Sequence, residues 1–186
     1  GLAEGSAQLY ERWIEHTESP LRHVACFNWG TVLGALGRHA QAEQAYRRAL
    51  ATHPGFTQAR LNLGHQIEHL GRPDEALAEW QQVIDGTADA TDATTLDLRL
   101  HALNNRARLL EQQRRFAESE ATLCRSLALR PAQSDVLQHY VHLRQKQCKW
   151  PVYETVAEVT PNQLLMSTSP LAMLSATDDP ALQLLA

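Results

Sequence analysis

Residues 25–56 read ACFNWGTVLGALGRHAQAEQAYRRALATHPGF, and residues 59–84 read ARLNLGHQIEHLGRPDEALAEWQQVI. Displaced by 34 positions, the first stretch falls on the second. Asn28 lands on Asn62, Gly30 on Gly64, Gly37-Arg38 on Gly71-Arg72, Ala42 on Ala76 and Tyr46 on Trp80. Each residue type has a physical place in a pair of antiparallel helices. Gly30 and Gly64 mark where the two helices approach too closely for a Cβ. Gly37 and Gly71 end the first helix, where the backbone turns through a positive φ. Ala42 and Ala76 are small for close packing, Tyr46 and Trp80 fill the space between the helices, and Pro54 stops the second helix.

A period of 34 with two helices per unit is the tetratricopeptide (TPR) period. It predicts an all-α chain, a right-handed superhelix of helix-turn-helix repeats, each burying its apolar face by stacking on the next. A third unit matches through Asn105, Ala107, Leu110, Phe116, Leu123, Leu127 and Pro131, with Asn62 to Asn105 an interval of 43, nine more than the period. The extra residues fall in DGTADATDATT, Asp85 to Thr95, which reads as an extended inter-repeat loop or a longer third-repeat helix. Arg114 stands where the turn glycine should be and Ser119 where the small alanine should be, so a turn of different shape is expected there.

The repeats accordingly span residues 23–56, 57–86, 100–133 and a degenerate 134–158, with a long polar segment at 85–99. The last of these has a first helix running to about Gln147 and a second opening near Trp150 and Tyr153. Residues 1–22, with Tyr10, Trp13 and Ile14 on an amphipathic stretch ending at Pro20, form a partial repeat or cap. Residues 159–186 read as two or three short connector helices. This apolar, proline-punctuated segment ends on Leu184-Leu185-Ala186 as if something should follow it or pack on it, through self-association if nothing else. Gly1 is not a natural start, so the chain reads as an engineered product, a processed product or a fragment.

The composition excludes several classes. A net charge of −4 and a pI near 6.1 give no basic surface for nucleic acid or an anionic membrane. No stretch approaches the roughly 20 apolar residues of a membrane span. Three dispersed cysteines, Cys26, Cys124 and Cys148, without a CxxC pair, argue for a reducing, cytoplasmic compartment. Cys26 falls on a packed helix face and reads as core. No cofactor is expected.

Asn28, Asn62 and Asn105 occupy one position of three successive first helices, the helices that line the concave surface of a TPR superhelix. An outward amide there offers a donor and an acceptor to a polypeptide backbone, or else bonds a neighbouring helix or water. His139 holds the fourth position. His65, His69 and Arg108 share the same surface. His65-Gln66-Ile67-Glu68-His69 also fits the HxxEH pattern of inverted zinc proteases. Two imidazoles at i and i+4 share a face and Glu68 would be the base, but no third ligand and no α/β fold accompany them. A polar concave face is the simpler reading. The lysine-rich cage that clamps a C-terminal carboxylate in some TPR domains is missing, since Lys146 and Lys149 are the only lysines.

The asparagine ladder, the spacer after the second repeat and the tail LRQKQCKWPVYETV…SPLAMLSATDDPALQLLA resemble bacterial homologues of the O-linked N-acetylglucosamine transferase (SPINDLY-type) family. Gln147, Cys148 and Trp150, followed by Ser169-Pro170 and Asp178-Asp179-Pro180, carry the more specific part of the likeness. The resemblance implies a TPR superhelix leading through a helical connector into a two-lobed glycosyltransferase domain. It implies that Asn28, Asn62 and Asn105 contact the backbone of a protein substrate, and that the catalytic residues lie beyond Ala186. The function expected is recognition of an extended polypeptide on the concave face, as the partner-selecting, non-catalytic part of a glycosyltransferase-like protein. The rival is a stand-alone scaffold or oligomerisation module.

Overall fold

The structure, a computed structural model, describes residues 1–169, 172–174 and 179–180. Helices α1 (Leu2–His16), α2 (Arg22–Ala35), α3 (His39–Thr52), α4 (Thr57–His69), α5 (Pro73–Gly86), α6 (Ala93–Gln112), α7 (Phe116–Leu129), α8 (Ser134–Lys146) and α9 (Pro161–Ser167) follow in order. Among the described residues the only strand-like pairing is an isolated antiparallel bridge, Val156 to Val159. The chain divides into two compact units, Gly1–Ala102 and Leu103–Ala186, the division falling within α6.

In the first unit α1 packs on α2, α2 on α3, α3 on α4 and α4 on α5. The small-against-aromatic pairing read from the repeat sets these contacts. A Cβ on Gly30 would stand 2.9 Å from the Tyr46 ring, and one on Gly64 would overlap the Trp80 indole. Both rings are buried, each contributing on the order of 1.5–3 kcal/mol of apolar burial. The indole N–H of Trp80 donates to the Leu61 carbonyl at 3.1 Å, so no polar atom is stranded.

The turns count the repeats more faithfully than the residues do. Gly37, Gly71, Arg114 and Cys148 all adopt a left-handed backbone, with φ of 73°, 75°, 60° and 52°. Each N–H donates to the carbonyl three residues back: Gly37 to Gly34, Gly71 to Glu68, Arg114 to Glu111 and Cys148 to Gln145. The next N–H reaches five back: Arg38 to Leu33, Arg72 to Ile67, Arg115 to Leu110 and Lys149 to Arg144. That pair of bonds is the Schellman helix stop. The expected difference at Arg114 is therefore corrected: the backbone turns there as at the glycines, with a side chain that bears the steric cost. Successive stops lie 34, 43 and 34 residues apart. The excess nine residues go mainly into α6, which has 20 residues where α4 has 13. Asp92 opens α6 by accepting the Thr95 N–H at 2.9 Å, which holds its carboxyl below the ordinary range.

In the second unit Ser119 is fully buried and its hydroxyl donates to the Ala107 carbonyl at 2.7 Å. The core gathers Leu123 and Leu127 of α7, Val136, Leu137, Tyr140 and Val141 of α8, then Val152, Val156, Val159 and Leu164. The helix expected to open near Trp150 and Tyr153 is not formed. Residues 150–159 run through a cis Trp150–Pro151 peptide, a left-handed Ala157 (φ 50°) and the Val156–Val159 bridge. Arg144 organises this stretch. Its buried guanidinium donates to Glu120 (3.1 Å), to the Pro151 carbonyl (2.8 Å) and to Glu154 (2.7 Å). Glu120 also accepts from Gln147 (2.9 Å) and Lys149. A charge buried this far needs such partners, and among the described residues only its Nε–H is left without one.

The connector begins with a capping box: Gln163 Oε1 accepts the Thr160 N–H at 2.8 Å while Thr160 Oγ1 accepts the Gln163 N–H at 3.4 Å. Pro161 sits at the first turn of α9, which packs on α8. Of the connector helices expected after Thr160, α9 is one, and residues 172–174 add a helical turn. The terminal apolar residues Leu184-Leu185-Ala186, with Pro170 and Asp178, lie outside the described residues.

Candidate polypeptide-binding face

The spacing of α4 turns Asn62, His65, Gln66 and His69 to one side, at i, i+3, i+4 and i+7. Helix α3 sends Tyr46 and His39 to meet them, and α2 adds Thr31. Asn62 Nδ2 donates to the Tyr46 hydroxyl over a long 3.5 Å. That hydroxyl pairs with Thr31 Oγ1 at 3.2 Å, and Thr31 in turn donates to the Phe27 carbonyl at 3.1 Å. The only consistent proton direction is amide to phenol to hydroxyl to carbonyl. Burial pushes the Tyr46 phenol up, against its hydrogen bonds with Thr31 and Asn62, so it keeps its proton. The chain fixes one N–H of the Asn62 amide. Among the described residues its carbonyl oxygen and second N–H stay unspent on a half-buried side chain.

His69 stacks on His39 with ring centroids 4.4 Å apart and planes 12° apart. His39 Nδ1 pairs with Gln66 Oε1 at 2.9 Å, so that nitrogen carries the proton. His65 packs edge-on against Trp80 at 5.4 Å. The two imidazoles of the HxxEH pattern thus lean on different aromatic partners. Among the described residues no three His, Cys, Asp or Glu side chains converge on a point that could hold a metal ion.

The remaining sequence-predicted residues divide. Asn28, one period before Asn62, lines an apolar groove between α1 and α2 beside Leu9, Tyr10 and Trp13. Asn105 and Arg108 stand half-buried on α6 in the second unit. There His139 bonds Glu111, which also accepts from Lys146 at 2.6 Å. Burial raises the Glu111 carboxyl, and its bonds to Lys146 and His139 outweigh that and hold it below its ordinary value. His139 is therefore occupied by a neighbouring helix. Sequence reasoning missed Thr31, Tyr46 and His39. The signal for Tyr46 was present, since a tyrosine carries a hydroxyl where the next repeat has Trp80.

Comparison with known proteins places the chain. Tetratricopeptide-repeat family profiles match residues 27–93 and 100–133, together more than half of its length. The chain belongs to the tetratricopeptide-repeat proteins. No curated protein sequence matches it significantly. Among solved structures it is similar to a double mutant of MamA of strain RS-1 (14% identity, TM-score 0.69, covering 95% of this chain and 88% of that one). It is also similar to PilW, a type IV pilus biogenesis factor (20%, 0.60, 94% and 86%). A third is YrrB, described as a TPR protein with an unusual peptide-binding site (14%, 0.62, 98% and 81%). At these identities the likeness establishes the helical-repeat fold.

Proposed function

We propose that this chain binds an extended polypeptide on the face formed by α2, α3 and α4, with Asn62 at its centre. The observation that carries the reading is the Asn62 amide. Tyr46 fixes it, and it still offers one acceptor and one donor, the complement of a peptide group. Thr31, His65 and His69 extend the polar surface to either side. TPR proteins are generally protein-interaction modules, and the peptide-binding site named for YrrB supports the same use of the fold. Asn105 and Arg108 are assigned a parallel role in the second unit by their register alone, whereas His139 is already bonded to Glu111.

The test is calorimetric. A peptide selected on the full chain from a displayed library should lose at least tenfold in affinity on Asn62→Ala. Unchanged affinity in that variant, and in Asn28→Ala/Asn62→Ala/Asn105→Ala, would instead assign the partner to an outer-face scaffold.

A finer reading makes this the substrate-selecting part of a protein O-glycosyltransferase-like protein of the bacterial cytoplasm. It rests on the resemblance at Gln147, Cys148 and Trp150 and on three free cysteines, which suit a reducing compartment. Among the described residues no helix is long and apolar enough to cross a membrane. The chain by itself should neither bind nor turn over UDP-N-acetylglucosamine, and turnover would contradict the assignment.

A further inference from the structure

The second unit holds a pocket that the repeat pattern does not account for. Asp135, Gln138, His139 and His142 stand at i, i+3, i+4 and i+7 of α8, on one face of the helix. With Thr168, Ser169 and Ala172 of the connector opposite, they line a cavity of about 320 Å³. The connector wall is tied in place. The Gln145 side-chain amide donates to the Ala172 carbonyl at 2.9 Å, the Ala172 N–H donates to the Ser169 hydroxyl oxygen at 3.3 Å, and the Met173 N–H donates to the Ser169 carbonyl at 3.0 Å.

The polar groups of the walls are one-sided. Thr168 gives its hydroxyl proton to the Leu164 carbonyl at 2.8 Å. His139 bonds the Glu111 carboxylate through Nε2, so that nitrogen carries the proton. In the neutral ring Nδ1 is then an acceptor. Asp135 can only accept, and it brings the one fixed charge among the lining residues. The cations of α8 are engaged elsewhere, Lys146 with Glu111 at 2.6 Å and Arg144 with Glu120 and Glu154. Asp135, Gln138 and His142 have no hydrogen-bond or ion-pair partner among the described residues. Water serves exposed polar groups singly, but here three converge on one recess. An acceptor-rich recess with an unpaired carboxylate suits a cation that brings several N–H donors.

We infer that this pocket binds a guanidinium group, carried by an arginine side chain of a polypeptide or by a small molecule. The Asp135 carboxylate accepts two parallel N–H bonds from the edge of the guanidinium, and the His142 ring offers a face for stacking. The Gln138 amide oxygen and His139 Nδ1 remain to accept other N–H groups. Val141, buried on α8, and Ala172 give the methylene stem an apolar wall. A lysine ammonium lacks the planar fork for the bidentate pair. The pocket lies in the second unit and uses other groups than the Asn62 amide, so each stands or falls without the other.

The test follows the nitrogen-15 spectrum of the full chain, at constant ionic strength, during titration with two probes. N-acetyl-arginine amide stands for a side chain on a polypeptide, and methylguanidinium for a free small molecule. Saturable shifts of the Gln138 side-chain NH2 and of the Asp135 and His142 amides are expected, and the tighter probe identifies the source. N-acetyl-citrulline amide, the uncharged counterpart, should bind at least roughly tenfold more weakly, and N-acetyl-lysine amide should also fall short of the arginine probe. Asp135→Asn should weaken binding by about tenfold or more. Asp135 also supports the first turn of α8, so Gln138→Lys provides a second variant. Its ammonium pairs with Asp135 three residues away, fills the recess from within and should abolish binding without loss of stability. Asn62→Ala should leave the titration unchanged. No saturable shift with either probe, equal binding of the citrulline or lysine amide, or full affinity in both Asp135→Asn and Gln138→Lys overturns the inference.

Discussion

Replacing Arg114 by glycine should stabilise the protein, although it deletes a whole side chain. Arg114 is exposed and sits at φ 60° in a turn whose hydrogen bonds match those at Gly37 and Gly71. A side chain in the left-handed region costs roughly 1–2 kcal/mol. Glycine removes that cost and adds freedom to the unfolded chain, worth roughly 0.5–1 kcal/mol in the other direction. The net gain is about 0.5–1 kcal/mol. For a chain of this size that raises the melting temperature by roughly 1–4 °C. Cys148→Gly, in the fourth turn, should act the same way and add to the first. Thermal melts followed by circular dichroism, together with urea midpoints, measure the effect. Loss of stability in both variants would refute the claim that one helix stop is used four times.

Gly64→Ala should destabilise by roughly 1–3 kcal/mol, because the new Cβ overlaps the Trp80 indole in a packed interior, and the urea midpoint reads it. Arg144→Met should cost roughly 3–5 kcal/mol by leaving Glu120 short of its buried partner, with Arg144→Met/Glu120→Gln recovering part of the loss in the same assay. Burial raises the Glu120 carboxyl, but its bonds to Lys149 and Gln147 prevail and hold it, like Glu111, below the ordinary 4.5. A depressed carboxyl stabilises above its unfolded value, and that stability is lost as pH falls through the folded value. The urea midpoint of the parent protein should therefore drop more steeply below pH 4.5 than that of Glu120→Gln, and parallel curves would contradict the assignment.

The hairpins were legible because each rests on a short list of residues with one physical use: a glycine against an aromatic, a turn residue, a small alanine. The segment after α8 was not. Val152, Val156 and Val159 repeat at helical spacing and are all buried, yet they reach the core through a turn and a two-residue reversal. Periodicity cannot distinguish those routes. The β-branched content and the proline at either end were the better guide. The turn at Arg114 shows the converse, since hydrogen bonding kept its shape after the glycine was gone.

The candidate site was half legible. The register of the asparagines follows from the repeat, but their use depends on neighbours that a single helix does not reveal. Asn62 finds a phenol, Asn28 an apolar groove, and His139 a carboxylate. Three residues at one repeat position therefore have three environments.

The central claim is that the oriented Asn62 amide binds a peptide backbone. The most direct measurement is the amide spectrum of the full chain, labelled with nitrogen-15 and carbon-13, during titration with a library-selected peptide. The account predicts that the Asn62 side-chain NH2 resonance shifts together with signals of Thr31, His65 and His69, and that Tyr46→Phe weakens binding by releasing the amide. Shifts confined to other surfaces, with full affinity in Asn62→Ala, would contradict it.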